Sequence, residues 1–207
     1  MTLRTGFVAL AALGVAASAS ALEFTITGTA QGAWDGQAIA QTNTLFGATY
    51  VGSTFDNTTS NGFASFGGDP NPSGGNFNNF GSISLGGQSV NYNGHTFNLR
   101  ITFSAPTGIA GGGQQTFTAN VLGSVSSLAA GGIQINFGNN NTQTFTFSNN
   151  TLVGSFTLTL NNVAVAPGKT ASVTGYVTGQ AQAVPEPATL AGLGIAAVAF
   201  IRRKKRA

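Results

Sequence analysis

Apolar residues recur at every second position over much of this chain. The clearest run places Phe97, Leu99, Ile101 and Phe103 between polar neighbours. The same period of two recurs in the segments 24–26, 117–121, 133–137, 145–147 and 156–160. Successive side chains of a strand point to opposite faces, so this period predicts strands with one apolar face and one Thr/Asn/Ser face.

Clusters of glycine, asparagine and proline separate these runs, as at Asn93-Gly94 and Pro167-Gly168. Many short strands between turn signals predict an all-β fold, an antiparallel β-sandwich, over residues 22–183. Two segments are less determined. Residues 122–130 fit a short helix or a strand, and 54–80 fit a long loop or a strand at 62–66 flanked by loops.

The N-terminal segment 1–21 predicts a secretory signal peptide. Arg4 precedes an apolar stretch, and Ala19-Ser20-Ala21 has the small-x-small pattern of a cleavage site. We therefore expect signal peptidase to cut between Ala21 and Leu22, with an uncleaved anchor as the alternative. The chain contains no cysteine, so the exported protein uses no disulfides.

The C-terminal segment 184–207 predicts a second membrane-directed element. The prolines of the motif 184–187 fix φ and donate no backbone hydrogen bond, so this motif stays extended and accessible. Residues 188–201 predict a short transmembrane helix, below the roughly 20 residues of a full bilayer span. A basic stop follows at Arg202, Arg203, Lys204, Lys205 and Arg206, which the positive-inside rule places in the cytoplasm. A buried helix with a basic tail is the alternative.

This tail resembles the PEP-CTERM sorting signal of Gram-negative bacteria in the order of Pro185-Glu186-Pro187, the apolar helix and the terminal basic cluster. The resemblance implies that an exosortase, a membrane-embedded cysteine-protease-like enzyme, reads Pro185, Glu186 and Pro187. It also implies a transient inner-membrane intermediate, removal of the tail, and delivery to the cell surface or an exopolysaccharide matrix. A tail that is never processed and serves only as a membrane anchor is the alternative.

Three segments of the chain, 63–67, 80–85 and 97–103, resemble the bacterial choice-of-anchor domains, type K in particular. Those domains occur with this kind of tail. The resemblance implies a β domain and supplies no mechanism.

Charge is scarce between residues 22 and 184. This part of the chain holds six charged residues, which are Glu23, Asp35, Asp56, Asp69, Arg100 and Lys169. Two isolated cations do not suit nucleic-acid binding, which needs clustered Lys and Arg. A surface of Asn, Thr, Ser, Gln and Gly suits a hydrated polysaccharide. It also suits self-association, because charges that block edge-to-edge strand pairing are missing.

The titratable residues form no recognisable catalytic set, so we expect neither an enzyme nor a cofactor. His95 is the only histidine, and we expect it in a solvent-exposed hairpin turn. Asp56 and Asp69 flank an Asn-rich segment and are weak calcium candidates. Turn formation, in which Asp and Asn side chains bond nearby backbone, is the default for both.

The aromatic residues supply candidates for sugar stacking. Trp34 and Tyr92 are the first candidates, with Tyr50 and Tyr176 beside them, and a core or sheet-edge position is the alternative for Trp34. Together the observations favour a non-enzymatic, exported surface or matrix protein with a structural or adhesive role in an exopolysaccharide or biofilm layer. A carbohydrate-binding module is the second hypothesis.

Overall fold

A computed structural model describes residues 22–184, and the fold and site below concern this range. Several predicted features lie outside it. They are the signal peptide with Ala19 and Ala21, the sorting motif at 185–187, the transmembrane helix at 188–201 and the basic stop at 202–206. Leu22, the expected first residue of the mature chain, is the first described residue.

The described chain is built almost entirely from strands, as the period of two predicts. The strands are β1 (Thr25–Trp34), β2 (Thr42–Leu45), β3 (Ala48–Val51), β4 (Ser53–Thr58), β5 (Phe63–Phe66), β6 (Asn76–Phe77), β7 (Ser82–Leu85), β8 (Val90–Asn91), β9 (His95–Ala105), β10 (Gln114–Ser127), β11 (Ala130–Asn136), β12 (Thr142–Ser148), β13 (Leu152–Leu160), β14 (Val163–Val165), β15 (Thr170–Ser172) and β16 (Gly175–Ala183). One short 3₁₀ turn at Gly138–Asn140 is the only helical element between residues 22 and 184. The all-β prediction is confirmed.

The strands form three sheets. The eight-stranded sheet has the order β14-β11-β10-β9-β1-β4-β6, with β8 paired to β10. The β13 sheet has the order β12-β13-β16-β5, and the β7 sheet has the order β15-β7-β3-β2. The pairing of β4 with β6 is parallel, whereas the long strands pair antiparallel, as in β1 with β9 and β13 with β16.

Aromatic contacts show how the sheets pack. Phe103 of β9 lies with its ring centroid 5.0 Å from that of Phe145 and 5.2 Å from that of Phe156, both in the β13 sheet. On the same strand, the Phe97 ring lies 5.2 Å from that of Tyr50 in the β7 sheet. The eight-stranded sheet therefore faces both smaller sheets across a shared aromatic core. Burying each such side chain contributes about 1.5–3 kcal/mol by transfer from water.

The segment 54–80 contains more strand than its sequence predicts. Strand β5 confirms the strand at 62–66, but β4 is a regular strand beside β1, where the sequence predicts a loop. The physical reason is Phe55, the one large apolar side chain in β4, whose ring lies 5.3 Å from Phe66 and 5.2 Å from Phe80. One buried ring therefore holds β4 in place, although its sequence shows no alternation of apolar and polar residues.

Residues 122–130 adopt the strand alternative. Strand β10 continues to Ser127, the chain turns through residues 128 and 129, and β11 returns from Ala130. The pairing is irregular between Val125 and Ser127, where the register shifts. This irregularity and the exposed Leu128 explain why the segment lacks a clear period of two.

Candidate functional site

The first two sugar-stacking candidates lie in the core, so that prediction is wrong for both. Trp34 ends β1 with no exposed surface, its ring 4.7 Å from that of Phe97, and its Nε1 donates to the Asn43 carbonyl oxygen at 3.3 Å. Tyr92 is 1% exposed, and its hydroxyl donates to the Phe46 carbonyl oxygen at 2.6 Å. A buried ring that is already hydrogen-bonded offers no face to a sugar.

Tyr50 is also enclosed, which leaves Tyr176 as the accessible tyrosine. The Tyr50 hydroxyl donates to the Phe80 carbonyl oxygen at 3.0 Å, and burial raises the pKa of this hydroxyl far above its ordinary value. Tyr176 is half-buried on the outer face of β16.

His95 is paired and half-buried, whereas its sequence predicts an exposed turn residue. It begins β9, and its Nδ1 lies 2.6 Å from Oδ2 of Asp35. The second oxygen of Asp35 accepts the backbone N–H of Thr96 at 2.9 Å. Partial burial acts to raise the pKa of Asp35, but the bond from Thr96 and the contact with His95 outweigh it and lower that pKa.

The pair has a structural role. Asp35 stands at φ +47° in the turn after β1, and its backbone N–H also donates to the Thr96 carbonyl oxygen at 3.0 Å. The His95 ring packs edge-on against Phe46, 5.7 Å between centroids. These contacts join the turn after β1 to the start of β9.

The two calcium candidates are exposed, and asparagines organise the loop between them. Asp56 and Asp69 both lie at the surface. Asn76 is 3% exposed and donates through Nδ2 to the carbonyl oxygens of Val51 and Gly52. Asn79 likewise donates to the carbonyl oxygens of Gly68 and Asp69. The amides nearby thus serve the backbone, and residues 22–184 contain no cluster of three or more His, Cys, Asp or Glu that could hold a metal ion.

The outer face of the β13 sheet carries an uncharged array of hydroxyl and amide side chains. We call it the hydroxyl face. Its members are Thr142, Thr144, Thr146, Ser155, Thr157, Thr159, Thr178, Gln180 and Gln182. They occupy the solvent-facing positions whose neighbours, such as Phe156 and Leu158, fill the core. The Oγ1 atoms of Thr144 and Thr157 lie 2.8 Å apart across the strands.

Phe63 and Tyr176 form an aromatic pair beside this array. Phe63 is 47% exposed on the edge strand β5. Its ring lies 5.7 Å from that of Tyr176 with an interplanar angle of 27°, a stacked arrangement. Phe63 pairs with Thr178 in register, so Tyr176 is its diagonal neighbour on the same face. We call these two residues the aromatic pair.

Shallow grooves lie on the same face. One, of about 430 Å³, runs beside Phe63 and is bordered by Asn61, Ser155 and Gln180. Gly62 also lines it at φ +74°, and a Cβ there would approach the Gly179 carbonyl oxygen to 2.4 Å. A second groove, of about 470 Å³, lies toward the other end of β13, between residues 108–110 and 153–155.

The opposite outer surface differs in charge. The outer face of the eight-stranded sheet also carries threonines, and Thr27 and Ser104 place their hydroxyl oxygens 2.7 Å apart. That face also holds Asp56 and Arg100, and the Arg100 guanidinium donates to the Gln31 side-chain oxygen. The hydroxyl face and its aromatic pair contain no charged residue.

Both ends of the described chain leave the domain at one end of the β13 sheet. The N–H of Leu22 donates to the Ala181 carbonyl oxygen at 2.8 Å, and the N–H of Val184 donates to the Thr151 carbonyl oxygen at 2.9 Å. Glu23 holds the N-terminal end, accepting the Thr59 hydroxyl at 2.6 Å. That bond is the main reason the pKa of Glu23 lies below its ordinary value.

Residues 22–184 form a β domain that is poor in charge, and the two ends of this described range lie at one end of the β13 sheet. Residues 183–206 match the PEP-CTERM protein-sorting motif. The chain thus carries the signal of an exosortase substrate, which implies an exosortase as processing partner, export through a membrane intermediate, and a surface or extracellular location. No curated protein and no solved structure matched this chain, and the likeness to choice-of-anchor domains stays a prediction. Residues 22–184 contain no helix long and apolar enough to cross a membrane.

Proposed function

We propose that this protein is a non-enzymatic, structural or adhesive component of an extracellular polysaccharide or biofilm layer. The observation that carries the proposal is the hydroxyl face. This broad, solvent-facing array is uncharged. It can therefore form hydrogen bonds with a hydrated neutral polymer and does not need an ionic partner. The PEP-CTERM motif supports it by directing the chain to the surface.

The titratable side chains between residues 22 and 184 support a role without catalysis. His95 and Asp35 contact each other and the backbone of Thr96. The Glu23 carboxylate accepts from Thr59 and from the backbone of Asn61. These groups therefore act in holding turns and the N-terminal end in place.

The test is partition of the protein in the producing bacterium. Cells, extracellular matrix and medium are separated and the protein is quantified in each fraction. We expect it in the matrix, and we expect its release into the medium in a strain that makes no exopolysaccharide. Retention in the matrix should persist in 1 M salt, since at that ionic strength the Debye length of about 3 Å screens exposed charge contacts. Equal release from both strains would contradict the proposal.

A further inference from the structure

We propose that the aromatic pair and the adjoining hydroxyl face form a binding site for a neutral polysaccharide chain. This deepens the proposed function, on which it rests for the source of the polymer. The site runs from Phe63 and Tyr176 at one edge of the β13 sheet across the threonine rows toward β12.

The exposed aromatic pair is the first observation behind the site. Phe66 and Ala64 of β5 fill the core, yet Phe63 leaves 47% of its surface to solvent. Phe63 stacks on Tyr176 with an interplanar angle of 27°, and the exposed Phe63 ring of this stack is the apolar platform. The electron-rich faces of aromatic rings attract the polarised C–H groups of a sugar ring, and a tyrosine hydroxyl such as that of Tyr176 can both donate and accept hydrogen bonds.

The register of the strands is the second observation. Thr144 pairs with Thr157, Thr157 pairs with Thr178, and Thr178 pairs with Phe63. A second row places Thr142, Thr159 and Tyr176 in line. Neighbouring strands lie about 4.8 Å apart, so each row presents evenly spaced hydroxyls leading away from an aromatic ring. Hydroxyls both donate and accept, as sugar hydroxyls do.

Charge selects the class of polymer. An acidic polysaccharide requires cationic side chains, and the two cations of residues 22–184 lie elsewhere, Arg100 in β9 and Lys169 just before β15. The rows and the aromatic pair contain no charged residue, so a neutral chain can lie along them without leaving a charge unpaired. The groove beside Phe63 supplies a side wall for it.

The experiment is affinity electrophoresis of the protein as released by the producing bacterium. Native gels contain dextran, hydroxyethyl cellulose or galactomannan as neutral probes, and alginate as the anionic probe. We expect retardation in at least one neutral gel and none in alginate. Phe63→Ala and Tyr176→Ala should each weaken the association about tenfold, the loss of one stacking contact.

Two comparisons make the result specific. Phe77→Ala is the matched control, because Phe77 is 55% exposed on β6, outside the aromatic pair, and this variant should bind like the wild type. Phe63→Trp and Tyr176→Phe keep the platform and should retain most of the affinity. Circular dichroism confirms that each variant is folded.

Three outcomes would overturn the proposed site. The first is no retardation in any neutral gel, and the second is unchanged binding of both alanine variants. The third is a concentration-dependent oligomer that Phe63→Ala dissociates, because the aromatic pair would then be an interface between copies of the protein. The matrix-partition experiment distinguishes a failure of this binding site from a failure of the proposed function. A protein still held in the matrix after Phe63→Ala has the proposed role through another surface.

Discussion

Nδ1 of His95 lies 2.6 Å from Oδ2 of Asp35, sixty residues earlier in the chain. Within residues 22–184 it is the one contact at salt-bridge distance between a carboxylate and a basic side chain. It joins the turn after β1 to the first residue of β9, at the point where the two central strands of the eight-stranded sheet meet. A pairing of this kind makes the stability of the domain depend on pH.

Replacing Asp35 by Asn should remove that dependence. The pKa of Asp35 is lowered in the folded protein, so its contribution is present above the ordinary value of 3.8 and disappears as pH falls through the lower folded value. At pH 5 we expect the variant to be about 0.5–1 kcal/mol less stable than the wild type, a small effect because the pair is partly solvated. Asn tolerates the positive φ at this position. Urea unfolding at pH 5 and pH 3 measures the difference, and a gap that stays constant between them would contradict the assignment.

Trp34 should behave as a core residue in solution. It is the only tryptophan, and it has no exposed surface. We expect blue-shifted emission, weak quenching by acrylamide, and no change when a neutral polysaccharide is added, even if the polymer binds at Phe63. Emission at the wavelength of free tryptophan, with efficient quenching, would show that β1 ends earlier than described.

The amide of Asn76 should be a large contributor to stability. Its Nδ2 donates to the carbonyl oxygens of Val51 and Gly52 and to the Ser82 hydroxyl, and its Oδ1 accepts the N–H of Asn71. Asn76→Ala removes all four of these hydrogen bonds from a buried site, and we expect a loss of about 2–4 kcal/mol in the free energy of unfolding.

The matched control for this loss is Asn150→Ala. Asn150 is exposed in the turn between β12 and β13, and the change should stay within about 0.5 kcal/mol. Equal losses for the two variants in urea unfolding would show that the loop does not depend on the buried amide.

Phe46→Asn should stabilise the β2–β3 hairpin. Phe46 and Gly47 occupy the turn with φ of +46° and +87°, the left-handed region that a bulky residue disfavours. Asn-Gly is the preferred pair for such a turn, so we expect a gain of about 0.5–1 kcal/mol, partly offset by the lost ring contact with His95. A fall in thermal midpoint would mean that this contact outweighs the turn strain.

The same turn explains why the sequence does not reveal β2 and β3. Their connection lacks the Asn-Gly or Asp-Gly signal of a two-residue hairpin, and each strand has only four residues. The long strands are predictable, because β9 and β13 alternate strictly between core and solvent. Short strands that are held by one buried ring, such as that of Phe55 or Tyr50, show no alternation of apolar and polar residues from which they could be predicted.

Trp34 and Phe63 show how far the candidate site could be predicted from the sequence. At the end of β1, Gly32, Ala33 and Trp34 are all buried. The segment at Ala40 to Asn43 lies against this end of the strand, because Ala40 bridges Gly32 and the Asn43 carbonyl oxygen accepts from Trp34. No local pattern in the sequence indicates this contact. Phe63 did have a signal. It stands three residues before Phe66, and two residues at odd spacing in one strand point to opposite faces. With Phe66 in the core, Phe63 must face solvent.

The most direct test of the account is the mass of both ends of the protein isolated from the producing bacterium. The predicted signal peptide gives a mature chain that starts at Leu22, and the PEP-CTERM motif at 183–206 predicts an end near Pro185–Pro187, without the basic cluster at 202–206. That result would establish export, sorting and release of the domain with its hydroxyl face. A chain that still ends at Ala207 would contradict exosortase processing and make the tail a simple membrane anchor.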